Sequence, residues 1–178
     1  MGTRSTIAIL LNDGTVNSGY CHWDGYLAHN GLILYKHYQD VNKVKELINL
    51  GSMSSLGPEV NPPKGVQHSY DKPYEGVTTF YGRDRGEDDQ EPSAFPSLEE
   101  YVKNGDFQEY DYVFSEPENK WYLLNTRNGK LDDLREVMLD SDDVPADEKI
   151  VMKNGKIFNE ICEELEHKDG PLEAILKV

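Results

Sequence analysis

The spacing of hydrophobic and polar positions changes several times along the chain, and each change marks an element. Ile7 to Leu11 is an apolar run with Ile7 and Ile9 on one parity. Asn12-Asp13-Gly14-Thr15 follows, with the Asp-Gly pair that favours tight hairpin turns. Val16 to Trp23 reads as the returning strand, with Cys21 and Trp23 on one face and Tyr20 and His22 on the other. From Leu27 to Tyr38 the spacing becomes helical, with Leu27, Gly31, Leu34 and Tyr38 on one stripe. Asp40 stands at the N-cap position of a second helix carrying Val44, Leu47, Ile48 and Leu50, and Gly51 is its stop.

Gly51 to Gly76 has few hydrophobic residues and several Pro, Gly and Ser, and reads as a long excursion. Val77 to Tyr81 is predicted as a strand and Arg83 to Pro96 as an exposed loop. Ser97-Leu98-Glu99-Glu100 matches a capping box, which starts a short helix from Leu98 to Lys103. Tyr110 to Phe114 and Trp121 to Leu124 flank a Pro- and Asn-containing turn and predict a second hairpin. Leu131 to Leu139 has helical spacing, Asp140 to Asp147 is an acidic loop, and Ile157 to Leu165 is an amphipathic helix. The expected class is α+β: one domain over 1–178, with an antiparallel sheet built from hairpins and helices packed against it.

Charge divides this domain into two halves. Residues 1–80 carry seven acids and six bases, whereas residues 81–178 carry 26 acids and 12 bases. The net charge of -15 repels nucleic-acid phosphates and anionic lipid surfaces, so neither is an expected partner. No apolar run approaches the roughly 20 residues that span a bilayer. No signal-peptide pattern follows the start, and the only cysteines are Cys21 and Cys162. Both features point to a reducing cytoplasm. The acidic half offers an electrostatic face for a protein with a basic surface, centred on Asp84, Glu87, Asp88, Asp89, Asp142, Asp143, Glu163 and Glu164.

Two segments concentrate other chemistry. In Cys21-His22-Trp23-Asp24-Gly25-Tyr26, His22 and Asp24 fall on one parity and form an acid/base candidate pair. Cys21 and His22 point to opposite faces, and the structural reading puts Cys21 and Trp23 in the core. In Gly82-Arg83-Asp84-Arg85-Gly86, two arginines between glycines suit either a solvent-facing turn or a clamp on a phosphate or carboxylate. With Arg4, His22 and Asp24, the pair Arg83 and Arg85 outlines a candidate site for a nucleotide-like anion. No P-loop or G-x-G-x-x-G is present, and neither an H-E-x-x-H nor a paired C-x-x-C, so no cofactor or metal is expected.

The opening Met1-Gly2-Thr3-Arg4-Ser5-Thr6-Ile7, the Asn12-Asp13-Gly14 turn, Cys21 to Tyr26, the Leu50-Gly51 to Ser55-Leu56 step and Tyr81 to Gly86 together resemble a group of small bacteriophage and prophage proteins. The resemblance covers about the first half of the chain. It implies a phage accessory protein acting in a bacterial host cytoplasm, and it transfers no catalytic residue. The resulting expectation is a non-enzymatic protein that binds and modulates a host protein, of defence or nucleic-acid-handling type, through its acidic surface. The alternative is a small enzyme or ligand-binding protein using His22, Asp24, Arg83 and Arg85.

Overall fold

The computed structural model describes residues 2–154. Eight strands form one mixed sheet: β1 (Ser5–Leu10), β2 (Val16–Cys21), β3 (Met53–Ser55), β4 (Thr79–Phe80), β5 (Ser93–Phe95), β6 (Tyr110–Ser115), β7 (Lys120–Asn125) and β8 (Lys130–Asp133). Their order is β4-β3-β2-β1-β6-β7-β8, with β5 paired to the start of β2. Helices α1 (Leu32–His37), α2 (Val41–Asn49), α3 (Leu98–Asn104) and α4 (Leu134–Asp140) pack against it, so the fold is α+β. No helix among the described residues is long and apolar enough to cross a membrane.

The first hairpin forms as its Asp-Gly turn predicts, with Ser5 opposite Cys21 and Leu10 opposite Val16. The second pairs Tyr112 with Leu123 and Ser115 with Lys120. The link between them is parallel: β1 lies beside β6 with Ile7 against Tyr112 and Ile9 against Phe114. A second parallel contact joins Cys21 to Met53. The sheet is therefore not purely antiparallel, because its two hairpins sit side by side in the same sense.

Strand alternation sorts the core into two layers. Ile7, Ile9, Cys21, Tyr112, Phe114 and Trp121 face α1, α2 and α4. Ala8, Val16, Val113 and Leu124 face the other way, toward Tyr101 of α3. Each fully buried aliphatic or aromatic side chain contributes about 1.5–3 kcal/mol by burial, so the larger layer dominates stability.

Several boundaries differ from the sequence pattern. Leu27–Gly31 is a π-helical turn rather than the start of an α-helix, and its Leu27, Asn30 and Gly31 are buried. Within the predicted helix from Leu131 to Leu139, the first residues are strand β8, with Leu131 opposite Leu124. Asp133 ends that strand and caps α4 by accepting from Arg135 N–H at 2.9 Å and Glu136 N–H at 3.4 Å. The predicted strand from Val77 to Tyr81 is regular only over β4, and the predicted loop from Arg83 to Pro96 contains β5. Pro145 precedes a further helical segment, residues 146–154. The helix predicted for Ile157 to Leu165 lies outside the described residues.

The excursion from Gly51 to Gly76 packs back on the molecule. It buries Leu56 and Val60, and Tyr38 donates its hydroxyl to Gly57 O at 2.7 Å. Gly51 itself takes φ +87, and a Cβ there would lie 1.9 Å from Gln90 O. Glycine is thus required both by the left-handed turn after α2 and by the close passage of residues 90–91.

Candidate functional site

Strand β2 ends at Cys21, but the chain keeps bonding to the segment beside it. His22 N–H donates to Met53 O at 3.1 Å and Trp23 N–H to Ser54 O at 3.0 Å. Asp24 then takes φ +56, a left-handed conformation. Gly25 follows in a tight passage, where a Cβ would lie 2.8 Å from Ser5 Cβ and 2.9 Å from Thr3 O. Its carbonyl accepts from Tyr112 Oη at 2.6 Å.

Cys21 points inward. Burial pushes its thiol up to about 11, and Asn30 Nδ2 lies 3.5 Å from its sulfur. Asn30 also reaches Ser5 Oγ at 3.2 Å and Trp23 O at 3.4 Å, which ties the π-helical turn to β1 and β2. Such a thiol is a packing residue rather than a nucleophile. Trp23 does not follow Cys21 into the core: 42% of it is exposed. The alternation that placed both on one face fails because the strand ends between them and Asp24 reverses the chain.

The same reversal separates His22 from Asp24. His22 lines an open cleft of about 550 Å³ with Gly2, Arg4, Trp23, Phe107, Gln108 and Glu109. Asp24 lines a different cleft of about 570 Å³, with His29, Ser55, Tyr74 and Glu75 among its walls. The candidate acid/base pair of His22 and Asp24 is therefore not formed. His22 Nδ1 instead lies 2.8 Å from the hydroxyl of Tyr20.

Arg83 and Asp84 form an internal pin. Arg83 donates to Val60 O and Asn61 Oδ1, both at 2.9 Å, to Thr78 O at 3.0 Å, and through Nε to Asp84 Oδ1 at 2.9 Å. Asp84 Oδ2 accepts from Phe80 N–H at 2.7 Å, and the Asp84 side chain is only 4% exposed. His68 Nε2 lies 3.5 Å from the same carboxylate, while its Nδ1 accepts from Tyr74 N–H at 2.9 Å. Arg85 stacks over Tyr70 at 4.5 Å and pairs with Glu87 at 3.3 Å. Two expectations are thereby corrected. Arg83 and Arg85 do not join Arg4, His22 and Asp24, and Asp84 is no part of an exposed acidic face. Their hydrogen-bonding capacity holds the excursion to the sheet.

The remaining acidic candidates divide by location. Glu87, Asp88 and Asp89 are exposed and line a cleft of about 450 Å³ together with Glu91, Gln90, Gly82 and the α2 end at Asn49 and Leu50. Its backbone is fastened by Glu87 N–H to Tyr81 O at 3.0 Å and Ser52 N–H to Gln90 O at 2.8 Å. Asp142 and Asp143 stand in the turn after α4, where Asp143 Oδ2 accepts from Ala28 N–H at 3.4 Å at the π-helical turn. Glu163 and Glu164 lie outside the described residues. Among the described residues no group of three His, Cys, Asp or Glu is arranged to hold a metal ion.

Sequence reasoning did not anticipate Phe107, Gln108 and Glu109 as neighbours of His22. They come from a loop about 85 positions away, placed there by the β1–β6 pairing and by Asp111, which accepts from Gln108 N–H at 3.0 Å. Glu91, which closes the acidic run from Asp84, is not among the residues on which the sequence centres the acidic face, yet it lines the same cleft. Comparison of the chain with protein-family models, curated proteins and solved structures finds no match.

Proposed function

We propose that the protein is a non-enzymatic interaction protein that engages a basic surface on another protein through the acidic loop at Glu87 to Glu91. One observation carries this reading: Glu87, Asp88, Asp89 and Glu91 share one cleft with the carboxyl end of α2. Of these carboxylates only Glu87 has an ion-pair partner among the described residues, namely Arg85. The exposed carbonyls of a helix end add partial negative charge at the same place. The loop backbone is fastened before any partner arrives, so less conformational freedom is lost on binding. The resemblance to phage proteins makes that partner a bacterial host protein, whose on-rate long-range attraction would raise.

The test uses a variant with Glu87→Gln, Asp88→Asn, Asp89→Asn and Glu91→Gln, which keeps side-chain size and removes charge. The tagged protein and the variant are incubated with bacterial lysate and eluted with a salt gradient. The expected result is a basic host protein retained by the natural chain, released as salt rises, and lost by about tenfold or more from the variant. Equal retention by a variant of unchanged melting temperature would overturn the reading.

A further inference from the structure

The cleft around His22 has features that the acidic loop does not use. Its first wall is the amino-terminal segment and the end of β2. Gly2 lies close to the six-membered ring of Trp23, so close that a Cβ would stand 2.8 Å from Cε3 and 2.7 Å from His22 O. The indole is therefore held in place by backbone while 42% of the residue remains exposed. The His22 ring meets it edge-on at 4.7 Å between centroids and 89° between planes. Tyr20 fixes His22 through Nδ1, and Nε2 has no hydrogen-bond partner among the described residues.

The second wall is Phe107, Gln108 and Glu109. Phe107 is held edge-on against Tyr101 at 5.4 Å, and the Gln108 backbone is fastened to Asp111. Arg4 completes the cleft. It is exposed, and its guanidinium forms no ion pair and no hydrogen bond with the described residues. Several other basic residues also lack an ion pair among the described residues, Lys64, Lys72 and Arg127 among them, so what singles out Arg4 is its place in one cleft with an exposed, immobilised indole.

We propose that this cleft binds a small planar aromatic anion of mononucleotide type, with the ring against Trp23 and the phosphate on Arg4 and His22. A rigid aromatic face suits a heterocyclic base, and a guanidinium fork suits a phosphate. The backbone and side-chain groups of Gln108 and Glu109 offer donors and acceptors to the ring edge or to sugar hydroxyls. A volume of about 550 Å³ is within the range of small-ligand sites. The single guanidinium and the negative field of the whole molecule favour one phosphate over three, so monophosphates are preferred to triphosphates. This proposal stands apart from the acidic loop, which lies among other residues, and either can fail without the other.

Tryptophan fluorescence reports the site directly. Trp23 is exposed, whereas Trp121 is buried and donates Nε1–H to Tyr38 O at 2.8 Å. The four common nucleoside 5′-monophosphates, the corresponding nucleosides, the triphosphates and inorganic phosphate are titrated into the full chain, with melting temperature read in parallel. The expected result is saturable quenching and a raised melting temperature with at least one monophosphate. Affinity should fall about tenfold or more for the nucleoside and for the Arg4→Gln variant. Trp23→Phe should lose the quenching and keep the thermal shift, since phenylalanine still stacks. Absence of saturable binding by every monophosphate would overturn the proposal. So would binding that Arg4→Gln leaves unchanged, or a preference for triphosphate.

Discussion

Asp111 is 2% exposed, on the sheet face that packs against α3. It accepts from Thr6 Oγ1 at 2.7 Å and from Gln108 N–H at 3.0 Å. Burial raises its pKa above the ordinary value of 3.8, and these two hydrogen bonds oppose the rise without cancelling it. A raised carboxyl pKa means that the folded state binds its proton more readily than the unfolded chain. This group therefore adds stability as pH falls through its folded pKa, and the gain is complete below the unfolded value. Asp111→Asn should flatten that component. Urea midpoints at pH 7 and pH 4 should show the natural chain gaining on the variant as pH falls. A difference that shrinks on acidification would mean that the carboxylate form is the one the fold prefers. Nothing in the local sequence marks this residue, because its burial depends on Thr6, 105 positions away.

At the scale of elements, the sequence is most legible where a side chain closes a local ring. Asp13, Asp40 and Ser97 each mark a turn or helix start correctly: Asp13 Oδ1 accepts from Thr15 N–H, Asp40 from Asn42 N–H and Ser97 from Glu100 N–H. The junction of β8 and α4 was misread for a related reason. Leu131, Leu134 and Met138 have helical spacing, yet Leu131 belongs to the sheet and the helix begins only after Asp133. Asp133 followed three residues later by Glu136 is the start signal that periodicity overrode. Asp133 also pairs with Lys120 of the neighbouring strand, so it anchors both elements at once. Asp133→Ala should cost about 1–2 kcal/mol, more than half of it from the cap. Ser97→Ala, a cap without an ion pair, should cost about 1 kcal/mol. Chemical denaturation of both variants checks the order, and an Asp133 variant no weaker than the Ser97 variant would show that the junction is held by packing alone. The parallel pairings were illegible for a different reason. They join segments about 100 and 30 residues apart, and no local pattern specifies which hairpins become neighbours.

At the scale of the molecule, two electrostatic effects of opposite sign compete. Lysines and arginines of the described residues form eight ion pairs, most of them at the surface. Exposed pairs are worth about 0.2–1 kcal/mol each and weaken as salt is added. Against them stands an excess of twelve acids over bases in residues 1–154, whose mutual repulsion also weakens as salt is added. Range decides between the two. Pair partners lie within 4 Å and are screened little, whereas repulsion summed over the whole surface acts at distances that screening removes. Raising monovalent salt from about 10 to 150 mM shortens the screening length from roughly 30 to 8 Å, which reaches the second effect first. The natural chain should therefore melt several degrees higher at the higher salt. The variant neutralised at Glu87, Asp88, Asp89 and Glu91 should gain less, because part of the repulsion is already gone. A melting temperature that falls with salt would mean that the ion pairs outweigh the field, and that the acidic excess is spread too thinly to steer a basic partner.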